Sequence, residues 1–156
     1  MTTRLKKAVK PQKPAPSLEH EVFLNLQQVA DGLLQGVVAL LKPAGLSPAQ
    51  YNVLRILRGA GPDGLACRET AERMITRDPD MTRLLDRLEA RGLVSRSRNS
   101  DDRRVLTTRI TEQGLQVLQR LDEPIEELHT QQLAHLTKSQ LHALAELLEL
   151  VRTQGG

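Results

Sequence analysis

Eleven basic residues fall between Arg68 and Arg109, and every one is arginine rather than lysine. Arginine keeps its charge, presents a planar two-pronged donor set matched to guanine or phosphate, and fits a narrow, negative minor groove. Two groupings stand out. Asp80, Thr82, Arg83 and Arg87 lie in the run from Asp78 to Gly92, and Asp102, Arg103 and Arg104 lie in Asn99-Ser100-Asp101-Asp102-Arg103-Arg104. Other chemistries find little to work with. His20, His129, His135 and His142 are scattered, and no Cys/His/Asp set has zinc spacing, so no metal is expected. The sequence has no glycine-rich phosphate loop, nucleophile elbow or paired catalytic carboxylates, so neither an enzyme nor a cofactor is expected. Phe23 and Tyr51 are the only aromatics, too few for a platform that stacks single-stranded bases.

Placing those arginines takes a helix with marked ends. Asp78 suits the N-cap, Pro79 the first helical position, and Gly92 the left-handed residue past the C-terminus. Met81, Leu84, Leu85 and Leu88 recur at i, i+3, i+4 and i+7 and form one buried stripe. Asp80, Thr82, Arg83, Asp86, Arg87 and Ala90 then share the opposite face. Upstream, Cys67, Ala71, Met74 and Ile75 give a shorter apolar face on a preceding helix. Downstream, Leu93 to Arg98 and Val105 to Ile110 are β-prone runs around the charged turn. Helix, turn, helix and charged hairpin predict a winged helix-turn-helix, a shape that lays one helix in the major groove of duplex DNA. Arg83 at the helix start and Arg104 at the wing tip are expected to touch DNA. Arg68, Arg77, Arg96, Arg98 and Arg103 are expected on phosphates, which position without specifying. Arg87 and Arg91 stay open between DNA contact and pairing with Asp86, Glu89 or wing acids.

The flanks read as support for this module. The first 16 residues hold four lysines and three prolines with almost no large apolar side chain, and predict a disordered basic arm, either grazing DNA or solubilising the chain. Residues 17–45 predict a helix capped by Ser17 and stopped by Pro43. Its two apolar stripes, Leu18, Val22, Leu26, Val29, Leu33, Val37 and Leu40 beside Phe23, Ala30, Leu34, Val38 and Leu41, fit a subunit interface or burial in a monomeric bundle. Ser47-Pro48-Ala49-Gln50 is a capping box with a Leu46–Tyr51 staple. The winged module is thereby expected over 46–110. Residues 111–152 predict two more helices, capped by Thr111 and Thr137, the first bent at Pro124. The fold class is therefore mainly α with a small β-hairpin wing, flanked by long dimerisation helices.

Charge follows the same division. The chain carries +5 before Glu19, −1 from there to Cys67, +3 over the eleven arginines and eight acids of Arg68 to Arg109, and −4 beyond, for +3 in all. A polyanion would meet the centre rather than the end. No apolar run approaches the roughly 20 residues that span a bilayer, and the N-terminus lacks a signal peptide's apolar core. Cys67 has no second cysteine to pair with, in keeping with a reducing cytoplasm. It is open between an oxidant-sensing thiol beside Arg68 and a small core residue with Ala71 and Met74.

From about Leu18 to Val151 the chain resembles the MarR (multiple-antibiotic-resistance regulator) family. The resemblance rests on Leu46-Ser47-Pro48-Ala49-Gln50-Tyr51, on Ala71-Glu72-Arg73-Met74, and on the run from Thr82 to Val94. The wing adds Asp102-Arg103-Arg104 followed by Ile110-Thr111 and Gly114. It implies a homodimeric regulator of transcription, usually a repressor, that leaves a pseudo-palindromic operator on binding a small phenolic or aromatic acid or on oxidation. It further implies that Asp80, Thr82 and Arg83 meet the major groove, that Arg104 enters the minor groove, and that Asp102 holds Arg104. The effector cleft would lie among the first, second and fifth helices. Arg77-Asp78-Pro79-Asp80 departs from the family's Ser/Thr-rich lead-in, so Asp80 must accept from a cytosine amino group or pair with Arg83. The competing reading is a winged-helix module that binds an acidic protein through the same arginines; a steep salt dependence of duplex binding separates the two.

Overall fold

The computed structural model of the chain describes residues 14–155. The basic arm expected over 1–16 lies, apart from its last three residues, outside the described part. Two compact units divide the chain, one ending at Leu34 and the other beginning at Gln35.

Helix α1, Leu18–Leu41, starts where predicted, with the Ser17 hydroxyl accepting from the His20 N–H at 3.1 Å. Over its first part the large apolar side chains stay in solvent: Leu18, Val22, Phe23, Leu24, Leu26 and Val29 are all exposed. A 3-10 turn, Lys42–Ala44, takes in Pro43 and closes with Gly45. The second unit then builds a core from α2 (Pro48–Ala60), α4 (Met81–Ala90), the strands and α5 (Glu112–Gln132). Leu41, Val53, Leu54, Leu57, Leu88 and Leu118 are fully buried in it. Burying one leucine stabilises the fold by roughly 1.5–3 kcal/mol, so leucines carry most of this centre, with Tyr51 the aromatic ring packed among them.

Local signals set most boundaries. Ser47 and Thr137 both complete reciprocal capping boxes, and the Thr111 hydroxyl accepts from the Gly114 N–H at 3.1 Å. Helix α5 continues through Pro124, and α6 spans Lys138–Gln154. Gly92 takes φ +72°, its N–H bonding the Glu89 carbonyl and the Leu93 N–H the Leu88 carbonyl, the paired closure of a Schellman motif.

Two expectations need correction, and the sheet gains a strand. The cap of α4 is Asp80, not Asp78: the Asp80 carboxylate accepts from the Arg83 N–H at 3.0 Å, while Asp78 accepts from the Asp80 N–H at 2.8 Å. Two successive acids can each close a local turn, and Pro79 sits in the turn between them. Ile75 does not join the apolar face of α3 (Cys67–Glu72), which ends before it; Ile75 is 82% exposed, and Thr70 takes the buried place. The wing is part of a three-stranded antiparallel sheet. Short strand β1 (Leu65–Ala66) pairs with β3 (Leu106–Ile110), which pairs in turn with β2 (Val94–Arg98). Two residues are too few to show a strand periodicity; they pair with β3 at Thr108 and Thr107, with Leu65 buried.

Candidate nucleic-acid interface

Helix α4 presents its arginines because its other face is fully committed. Met81, Leu84, Leu85 and Leu88 are at most 8% exposed. Thr82, Arg83, Asp86 and Arg87 are exposed on the opposite side. Neither Arg83 nor Arg87 makes an ion pair among the described residues, so both guanidinium groups are free to meet an anion. The Asp80 carboxylate is engaged by the backbone N–H of Arg83, and this contact leaves the Arg83 side chain unneutralised.

The wing tip is preorganised by the side chains of Asn99 and Asp102. Asn99 accepts from the Asp101 N–H, and Asp102 accepts from the Arg104 N–H at 3.0 Å. The Asn99 N–H closes the tip onto the Val105 carbonyl at 2.8 Å. The Arg104 guanidinium stands 3.7 Å from the same Asp102 oxygen and is 96% exposed, a loosely held cation at the wing tip. Arg98 reaches over the tip and donates to the Arg103 carbonyl at 3.0 Å, leaving the Arg103 side chain exposed.

Three arginines of the same segment, Arg91, Arg96 and Arg109, serve the scaffold. Arg96 on β2 donates to Asp86 Oδ1 and, at 2.9 Å, to Glu89 Oε1 on α4, while its backbone N–H donates to Glu89 Oε2. Only 14% of its side chain is exposed, and its Nε is buried without a partner. That hydrogen bond from Arg96 holds the Glu89 carboxyl below the usual carboxylate range. Arg96 is therefore a clamp between wing and helix, and little of its guanidinium is left exposed to meet a phosphate. Arg91 donates to the carbonyls of Gly45 and Ala44, tying the end of α4 to the turn before α2. Arg109 bridges Pro62 and Ser97, and Arg68 pairs with Glu72 at 3.2 Å but remains 91% exposed. Arg77 is exposed in the α3–α4 turn.

The structure thus brings Thr82, Arg83 and Arg87 onto the exposed side of α4, with Asp80 at its cap. It sets Asp102, Arg103 and Arg104 together at the wing tip, with Arg68 and Arg77 exposed on α3 and its exit. Sequence reasoning missed the Asp86–Glu89–Arg96 clamp. Asp86 and Glu89 are one helical turn apart, which hinted at a shared partner, but only strand register could show that Arg96 supplies it. It also missed Asn52 on α2, whose side-chain oxygen accepts from the Ile75 N–H at 2.9 Å.

Comparison with known proteins is consistent with this geometry. The model of the MarR family matches residues 46–106. The transcriptional repressor IacR of Pseudomonas putida is 32% identical over 83% of this chain and 76% of its own length. The repressor MdtR of Bacillus subtilis is 33% identical over 65% of the chain, and the match spans 64% of MdtR. The solved MarR transcription factor from Planctomyces limnophilus is 40% identical, with a TM-score of 0.68 over 87% of this chain and 98% of that one. CouR from Rhodococcus jostii, solved bound to p-coumaroyl-CoA, is 25% identical, with a TM-score of 0.73 over 88% of this chain and 95% of CouR.

Proposed function

The chain belongs to the MarR family of DNA-binding transcription regulators, and on that premise we propose that it is a homodimeric repressor displaced from a pseudo-palindromic operator by a small aromatic or phenolic acid. The observation that carries the DNA-binding surface is the sorting of its arginines. Arg91, Arg96 and Arg109 are tied into the scaffold, whereas Arg83, Arg87 and Arg104 stand exposed at the two points where winged modules enter the grooves. Arg83 reads a base edge in the major groove, Arg104 enters the minor groove, and Arg68, Arg77, Arg98 and Arg103 follow phosphates. Thr82 adds a hydroxyl to the base-reading face, and Asp80 fixes the angle at which the helix starts.

Dimerisation is supported by apolar side chains left in solvent. Along α6, Leu147, Leu150 and Val151 are each about 60% exposed, and α1 leaves Leu18, Leu24, Leu26, Leu34 and Phe23 exposed. Contiguous apolar faces of this kind mark a surface made for a partner. A second copy is the partner that places two recognition helices on half-sites one helical turn apart.

The effector reading is supported by a cleft of about 540 Å³ between the end of α1, the start of α2 and α4. Leu46, Ala49 and Leu84 supply apolar walls, and Lys42 and Arg87 supply cations for a carboxylate. Helix α5, expected among the walls, does not line it. Arg87 and Asp78 border both this cleft and the hollow at the start of α4 that holds Arg83. An acid that recruits Arg87 therefore competes with DNA for the same guanidinium.

Salt titration tests the reading against an acidic protein partner. With about six phosphates neutralised, log K should fall against log salt with a slope of roughly −5 on duplex DNA. The bound species should sediment as two chains per duplex. A flat slope with a monomeric chain would overturn the proposal.

A further inference from the structure

We infer that Ile75 is a sequence-reading residue that packs against the C5-methyl group of a thymine at the edge of the major groove. The inference rests on the DNA-binding reading and extends it to a position outside the recognition helix. Between Val38 and Leu144, Ile75 is the one large apolar side chain exposed to solvent, and at 82% it is the most exposed in the described residues. The exposed apolar residues on either side of that interval lie on α1 and α6. Ile75 stands apart from them, in the turn between α3 and α4.

That turn is fixed rather than loose. The Ile75 N–H is held by Asn52 Oδ1 of α2, and the next two acids along the chain close the turn onto the cap of α4. The isoleucine borders a hollow with Met74, Arg68, Arg77 and Asp78, and Asp78 borders as well the hollow that contains Arg83. An apolar tip is therefore carried between two exposed guanidinium groups, next to the end of α4 that enters the groove. The arginines match phosphates. On base edges in the major groove, the group that matches a branched aliphatic side chain is the thymine methyl. Because Asn52 holds the backbone in advance, little freedom is lost when the contact forms.

The test uses the full chain and a duplex that the wild-type protein selects from a random pool. Each thymine of one half-site is replaced in turn by deoxyuridine, which lacks only the methyl group. One replacement should weaken wild-type binding about fourfold, the worth of one buried methyl. Ile75→Ala should lose at least as much on the selected duplex and nothing on random duplex, and should be indifferent to that replacement. Ile75→Val should recover most of the loss. A scan in which no replacement depends on residue 75, or an Ile75→Ala variant weakened equally on selected and random DNA, overturns the inference and leaves the DNA-binding reading intact. A wild-type chain that binds no duplex overturns both.

Discussion

Arg83 and Arg96 are 13 positions apart, carry the same side chain, and do opposite work. Arg83 follows its cap by three residues and points away from the leucine stripe, so its charge is available to a groove. Arg96 alternates inward along β2 toward two carboxylates and is spent there. Replacing Arg83 by alanine should cost about 1–3 kcal/mol on a selected operator and change the preference at one base pair, with a smaller effect on random duplex. Competition binding against single-position operator variants measures this. Equal losses on all sequences would reduce Arg83 to a phosphate contact.

At the scale of elements, the wing and the recognition helix form one binding unit because Arg96 joins them. The clamp fixes the angle between β2 and α4, and so the spacing between Arg83 and Arg104. Arg96→Ala should lower the melting temperature, since it leaves Asp86 and Glu89 facing each other without their cation. It should also weaken specific and random duplexes in equal proportion. Arg103→Ala, at an exposed side chain, should weaken binding without moving the melting temperature, and thermal scans beside binding curves separate the two. The helix ends were readable in the sequence because capping is local: Ser47, Thr111, Thr137 and Gly92 each act on groups within a few residues. The choice of Asp80 over Asp78 was not readable. Both are good caps, and the leucine stripe, docked from Met81 onward, decides which one sits at the helix start.

For the molecule as a whole, α2 and α5 are joined by a two-pronged pair, with Arg58 donating to both Asp122 oxygens at 2.8 and 3.0 Å. The Arg58 hydrogen bond holds the Asp122 carboxyl below its ordinary range. Proton binding is thus weaker in the folded chain than in the unfolded one, and acid favours unfolding. The increment is complete above the unfolded value of about 3.9 and fades as pH falls through the lower folded one. A third of the Arg58 side chain and nearly half of the Asp122 side chain are exposed, so solvent screening limits the pair to about 0.2–1 kcal/mol. Urea melts should show wild type more stable than Asp122→Asn near neutral pH, with the gap closing below about pH 4. A gap that widens in acid would exclude this role for the pair.

What the sequence determined by itself was whatever depends on neighbours along the chain: helix phase, caps, the charged tip of the wing, and an arginine-only centre suited to a polyanion. Period and capping are properties of a few consecutive residues, so they survive without a fold. Tertiary structure alone decided which arginines remain available, because Arg91, Arg96 and Arg109 find partners 46, 7 and 47 residues away or nearly so. It alone added the strand at Leu65, and it alone pushed Ile75 into solvent and fixed it with Asn52. Those outcomes depend on which surfaces meet once the leucine core closes, and no local pattern encodes that meeting.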